Sequence, residues 1–209
     1  MKTLLRSLAL ALAFGAAALM GAAPAPLDLG QGLTYYRIHA LPGDLPVSSG
    51  PGGARIIDLR FAKADAAAAG ALAAWVRFNA AVRSPLFVLE NAQTDPTLRA
   101  VFTAGPHPGL LVLAPSADGL RPDIPVSVAA DTDRKAYLAL ESGAPVASLL
   151  ADNPEKPRTD EAYLEKEHLS DSDVPDAALD RPSPPSPLVD ALLQRAVQLH
   201  RGLAALKRI

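Results

Sequence analysis

ARIIDLRFAKADAAAAGALAAWVRFNAAVRSPLFVLEN, residues 54–91, spells a strand, a helix and a second strand in one pass. In ARIIDLRFA, Ile57, Leu59 and Phe61 alternate with Ile56, Asp58 and Arg60, the period of two that a strand requires. Asp65 then offers a side-chain oxygen to the first free N–H groups of a helix. Along that helix Leu72, Trp75, Val76, Asn79 and Val82 recur at helical spacing and define its buried stripe. PLFVLEN, residues 85–91, returns to a short apolar run. A strand, a crossover helix and another strand lay the two strands parallel, so the unit predicts an α/β fold with a mainly parallel sheet.

The alternation continues on both sides of this unit. Residues 96–102 predict a second helix, GLLVLAP (109–115) a third strand of the unit and IPVSVA (124–129) a fourth. Upstream, LTYYRIHAL (33–41) has the β-branched and aromatic character of a strand, and PGDLPVSSGPGG then breaks regular structure. Asp131 and Asp133 are placed to cap a helix over RKAYLALES that Gly143 ends. Residues 152–187 are rich in proline and charge and poor in core residues, which predicts an extended linker around one short helix near 161–168. Two overlapping Pro-x-x-Pro patterns between Pro182 and Pro187 suit a polyproline II spacer. In the closing helix, 188–209, an apolar face runs through Leu188, Leu192, Ala196, Leu199, Leu203 and Leu206. Such a face must be buried, and the expectation is that it folds back on the sheet. Homodimerisation through this helix, or docking on another protein, is the alternative.

Composition bounds the rest. The chain has 209 residues, 49% of them hydrophobic, enough for one core. With no cysteine, disulfides, thiolate metal sites and cysteine nucleophiles are excluded. The opening residues place Lys2 and Arg6 before an apolar run that ends in small residues, the layout of an export signal over residues 1–23. The expected location is therefore periplasmic or secreted, with membrane attachment only through an uncleaved leader. Residues 24–32 read as a tether and 33–151 as the α/β domain. Loss of Lys2 and Arg6 with the leader leaves 18 basic residues against 22 acidic ones, a net charge of −4, and no basic face for a nucleic acid.

The succession IIDLR (56–60), PLFVLEN (85–91) running into AQTDPTLRAVF, and GLRPDIPV (119–126) resembles the catalytic domain of the C-terminal-processing (tail-specific) serine peptidases. Those enzymes carry a Leu-Asp-Leu-Arg strand followed by Asn-x-x-Gly-Gly. A Pro-Val-Val-Val-Leu-Val-Asn strand then runs into Ser-Ala-Ser-Ala-Ser-Glu, and a Gly-x-x-Pro-Asp-Ile-x-Val segment follows. The resemblance spans residues 33–209 and implies a truncated Clp-protease/crotonase-like fold.

The departures bear on activity. With Asn91 on the family's strand-end residue, Pro96 falls where the nucleophilic serine stands, and proline has no nucleophilic side chain. The turn after IIDLR is Phe61-Ala62-Lys63-Ala64-Asp65, without the glycines whose N–H groups hold an oxyanion. The segment that carries the family's lysine is absent between Ala114-Pro115 and Pro122-Asp123. Loss of several members of such a unit predicts a pseudo-peptidase that binds polypeptides or a related peptidase. Two alternatives stand beside it. One is a serine/threonine-type peptidase with a relocated nucleophile, Thr94 with Lys63, both at the carboxyl edge of the sheet where open α/β folds place ligands. The other is a structural envelope protein without a ligand site.

No cofactor motif is present. Glu161, Glu165 and His168 share a helical face, and Asp171, Asp173 and Asp176 cluster. Neither set has the spacing of a metallopeptidase or a calcium loop, so both read as solvated charge and no metal is expected. Ser116 and Asp118 read as turn formers, His107 as a loop residue between prolines, and His39 and His200 as lacking a partner.

Overall fold

The structure, a computed structural model, describes residues 25–47, 53–103, 105, 107–117, 119–151 and 187–209. Strands β1 (Leu27–Asp28), β2 (Leu33–Arg37), β3 (Ala54–Asp58), β4 (Leu86–Leu89), β5 (Leu110–Pro115) and β6 (Ile124–Val126) form one sheet in that spatial order. β1 pairs antiparallel with β2, and every later neighbour is parallel. The protein is thus an α/β protein, as the sequence predicts. The segment read as a tether supplies the edge strand β1, with Leu27 opposite Tyr35.

Strands that follow one another across a sheet in chain order place all right-handed crossover helices on one face. Helices α1 (Ala66–Asn79) and α2 (Pro96–Thr103) accordingly pack on each other and share a core with Ile57, Leu59, Leu86, Val88 and Val112. The opposite face is left bare by this topology and needs a separate cover. It receives α3 (Ala130–Glu141), a short 3-10 turn (Val146–Leu149) and the last helix, α4 (Ala191–Ala205). Leu140, Leu149, Leu192, Leu193, Ala196 and Val197 pack there against Leu33, Tyr35, Ile56, Phe87 and Leu89. The expected return of the last helix to the sheet is observed.

Local signals explain most boundaries. Asp65 caps α1 by accepting from the Ala68 N–H at 2.8 Å. Pro96 opens α2, where its missing donor costs nothing, and Asp95 accepts from Thr97 N–H at 2.9 Å. Gly143, at φ +87°, closes α3 with a pair of bonds, its own N–H to Leu140 O and Ala144 N–H to Ala139 O. Gly109, at φ +83°, precedes β5 where a Cβ would collide with the Ala81 carbonyl group.

Several expectations shift. α1 stops at Asn79 because Ala80 turns extended, so Val82 lies outside the helix and is exposed. Leu206 follows the end of α4 and is exposed, while Leu193 and Val197 complete the buried stripe. α3 begins at Ala130 after Ala129, which offers no side-chain cap. Asp131 and Asp133 lie inside its first turn instead, for a reason given below. The strands at 33–41 and 124–129 shorten to β2 and β6. The leader, most of the linker and the sets Glu161/Glu165/His168 and Asp171/Asp173/Asp176 lie outside the described residues.

Candidate functional site

The carboxyl ends of the parallel strands, where an open α/β sheet places its ligands, carry the charged residues of the core. Side chains alternate across the sheet, so Asp58 and Arg60 at the end of β3 and Asn91 after β4 point toward α3 and α4. Arg60 is 0% exposed. Its Nε donates to Asp58, Nη1 to Asp133 Oδ1 (2.8 Å) and Asp190 Oδ1 (3.1 Å), and Nη2 to Asp58 Oδ2 (2.7 Å) and Asp190 Oδ2 (2.7 Å). All the donors a guanidinium has are therefore spent on carboxylates.

One cation among three carboxylates leaves negative charge in a buried place, and neutral donors offset it. Tyr35 donates its hydroxyl to Asp58 Oδ2 at 2.7 Å, and Arg60 its backbone N–H to Asp58 Oδ1 at 3.0 Å. Asn91 Nδ2 donates to Asp133 Oδ2 at 2.9 Å. Asp190 is the cap of α4, accepting from Leu193 N–H at 3.0 Å, so the positive helix end faces it. Asp133 sits in the first turn of α3 for the same electrostatic reason, which is why it serves Arg60 instead of capping. The Tyr137 ring covers the guanidinium at 5.4 Å.

Burial drives the proton equilibria. It would lower the Arg60 pKa, but Asp58 and Asp190 outweigh it and the group stays charged. Burial, then Asp58, raises the Tyr35 phenol well above its ordinary value, so the donor keeps its proton. Burial also raises Asp190, with Arg60 opposing.

Thr94 and Lys63 do lie on the same edge. Thr94 is 1% exposed. Its hydroxyl donates to the Leu59 carbonyl at 3.1 Å and accepts from the Asn91 N–H at 2.9 Å. Lys63 Nζ donates to the Gln93 carbonyl at 3.1 Å. The one hydroxyl proton that a base would have to remove is thus held by a peptide carbonyl, and Pro96 stands at the start of α2.

Two concavities open beside this edge. The first is a groove of about 310 Å³ lined by Phe61, Gln93, Arg134, Tyr137 and Leu138. Phe61 packs against Tyr137 with the rings tilted by 52° and their centroids 4.8 Å apart, and it holds φ +62°, a left-handed backbone that an aromatic residue rarely adopts. The second is a pit on the α1/α2 face lined by Glu90, Arg99, Phe102, Val112, Leu120, Arg121 and Asp123. Burial pushes the Glu90 carboxyl up to about 7, with Arg99 opposing.

His39, read as lacking a partner, meets Glu141 Oε1 at 2.5 Å, and Arg37 meets the same oxygen at 3.3 Å. His200 is buried, which lowers its pKa. Ser116 is exposed after β5, and its N–H bonds the Val126 carbonyl. Among the described residues no group of three or more His, Asp or Glu is placed to hold a metal. No helix among them is long and apolar enough to cross a membrane.

The buried ion cluster and the Glu90 pit are the features that sequence reading misses. Alternation puts Asp58 and Arg60 on the less apolar side of β3. The signal against a solvated side was Ile56 beside them, Tyr35 on the neighbouring strand and a long apolar last helix in need of a surface. Fold and site together define an α/β protein whose strand-end edge is filled by an ion cluster. No family model, curated protein or solved structure matches the chain.

Proposed function

We propose that this chain is an exported, non-catalytic domain of tail-specific-peptidase-like descent, a pseudo-peptidase with a truncated Clp-protease/crotonase-like fold. It serves as a binding or scaffold protein for polypeptides or a related peptidase in the cell envelope. The observation that carries the reading is the state of the strand-end edge. Arg60 and its carboxylates fill the space behind it, the Thr94 hydroxyl donates to the Leu59 carbonyl, and Lys63 Nζ donates to the Gln93 carbonyl. Chemistry on a peptide bond needs a free nucleophile and free N–H donors, and neither the Thr94 hydroxyl nor the Pro96 position supplies the first. A mainly parallel α/β sheet with α1 and α2 on one face is the coarse architecture that such a descent requires.

The groove beside Phe61 supports a binding role. Phe61, Tyr137 and Leu138 give it an aromatic and apolar lining, Leu138 is 49% exposed, and Arg134 adds a cation. An extended chain with an apolar side chain and an acidic neighbour matches that lining.

The test is a peptidase assay on the purified protein, alongside Thr94→Ala. Neither should turn over an unstructured polypeptide such as casein. Turnover that vanishes in the variant refutes the pseudo-enzyme reading. Binding of the same polypeptide, with loss on Leu138→Asp, supports the groove as its seat.

A further inference from the structure

Glu90 and Asn91 are neighbours at the end of β4 and face opposite sides of the sheet. Asn91 joins the satisfied cluster around Arg60, whereas Glu90 enters the other layer at a place where that layer stops. The β3–β4 and β4–β5 connections carry α1 and α2, but β5 passes to β6 through a loop without a helix. Where α2 ends, Gly119, Leu120, Arg121 and Asp123 of that loop and Val112 of β5 line a cavity of about 140 Å³. At ~30 Å³ per molecule this is room for roughly four or five waters, or for one ligand of a few heavy atoms.

The walls are chemically specific. Phe102 from α2 and Leu120 from the loop are apolar. Glu90 is 5% exposed, and its Oε2 has no hydrogen-bond partner. Arg99 Nε is buried at the same site and also unpartnered. No ion pair within 4.0 Å joins the two among the described residues, although they share the cavity. The other charged groups facing Glu90 are Arg121 and Asp123 of the loop, and Asp123 Oδ2 is already engaged by the Val112 N–H at 2.8 Å. A buried polar atom left unpaired is costly, so two in one cavity point to a group that would pair both.

We propose that this pit binds a short aliphatic carboxylate, with Arg99 and Arg121 holding the anion and Phe102 and Leu120 its hydrocarbon part. Two guanidinium groups disfavour an ammonium ligand, and of the two acids lining the pit Asp123 already accepts the Val112 N–H. A carboxylate offers two acceptors. Arg99 Nε–H takes one, and Glu90 in its protonated form donates to the other. The proton comes from solvent and passes to the Glu90 carboxylate as the anion enters, so binding and proton uptake are linked. Because burial already holds Glu90 near neutrality, that proton is available at mild acidity. This site lies on the face opposite the Arg60 cluster and does not depend on the pseudo-peptidase reading.

The experiment is an amide NMR titration of the full chain with propionate, and with propylammonium as the cationic control, from about pH 6 to about pH 9. Propionate should give saturable shifts at Arg99 and Leu120. Its dissociation constant should rise by up to about tenfold per pH unit above neutrality. Glu90→Gln, which keeps the shape, should still bind but with most of that pH dependence removed. Arg99→Gln should weaken binding about tenfold or more, a loss typical of a charged hydrogen bond. Absence of saturable shifts in the wild type, stronger binding of propylammonium, or an unchanged pH dependence in Glu90→Gln would each overturn the proposal.

Discussion

Two faces of one sheet handle buried charge in opposite ways. Toward α3 and α4, Arg60 meets Asp58, Asp133 and Asp190, and the carboxylate oxygens have donors from Tyr35, Asn91 and the start of α4 as well. Toward α1 and α2, Glu90 and Arg99 share a cavity and each leaves a buried atom unpaired. A complete polar network acts as a structural clamp, tying the end of β3 to the first turn of α3 and to a helix 130 residues further along the chain. An incomplete one is a place for something else to bind. The difference follows from topology, because the first face is covered by two helix N-termini and the second runs out of helices beyond α2.

The sharpest way to break this contrast is to remove the cation of the clamp. Arg60→Met keeps volume but leaves three carboxylates buried together. Loss of one partner from a buried ion network costs about 3–5 kcal/mol, enough to unfold a marginal domain. Urea denaturation should show an unfolding free energy lowered by that amount or no folded protein at all. A change below about 1 kcal/mol would show that the cluster is merely tolerated.

Thr94→Val comes next and bears on both the fold and the proposed lack of activity. The substitution preserves shape and deletes the hydroxyl. Leu59 O retains the Ala62 N–H, but Asn91 N–H loses its acceptor inside the protein. Leaving such a donor buried costs about 1–3 kcal/mol. Denaturation should report that loss with no change in the background rate of peptide hydrolysis, which separates a structural threonine from a nucleophile.

How much of this was legible in the residues depends on the range of the interactions involved. The parallel core was readable because alternation in ARIIDLR, the Asp65 cap and the Pro96 start are local signals within a few residues. The return of α4 was readable from its apolar stripe, although the stripe's lower end was misplaced at Leu206 because helix termination there depends on Lys207 adopting φ +53°. The clamp was not readable. Asp58, Asp133 and Asp190 are separated by long stretches of chain, and nothing local distinguishes Asp133 from an ordinary first-turn carboxylate. Glu90 is not distinctive in the sequence because PLFVLEN reads as a strand ending in polar residues. Only the missing helix between β5 and β6 turns that glutamate into the wall of a cavity.

On the incomplete face, Glu90→Gln should act through pH. The folded pKa of about 7 lies above the ordinary carboxylate value of 4.5, so protonation favours the folded state. The contribution of this group is full below about pH 4.5 and is lost as pH rises through about 7. Near pH 4 variant and parent should therefore unfold alike. Near pH 8.5 the variant should be more stable by about 1–2 kcal/mol, a screened fraction of the ~1.4 kcal/mol that each pH unit represents. Equal stabilities across that range would mean that Glu90 is well hydrated, and the contrast between the faces would weaken.

The smallest effect calibrates the largest. Asp65 and Asp190 are both aspartate caps, bonding Ala68 N–H at 2.8 Å and Leu193 N–H at 3.0 Å. Asp65 has no further partner among the described hydrogen bonds, whereas Asp190 also receives two from Arg60. Asp65→Ala should therefore cost only the ~1 kcal/mol of an ordinary cap. Asp190→Ala removes the same cap and one counter-charge, so any excess over Asp65→Ala measures what the clamp adds. That excess should vanish or change sign in an Arg60→Met background, where the guanidinium is gone and removing Asp190 relieves repulsion among the buried carboxylates. If it persists, Asp190 stabilises α4 as a cap alone, and the clamp between sheet and last helix must be assigned to apolar packing through Leu192, Leu193 and Ala196.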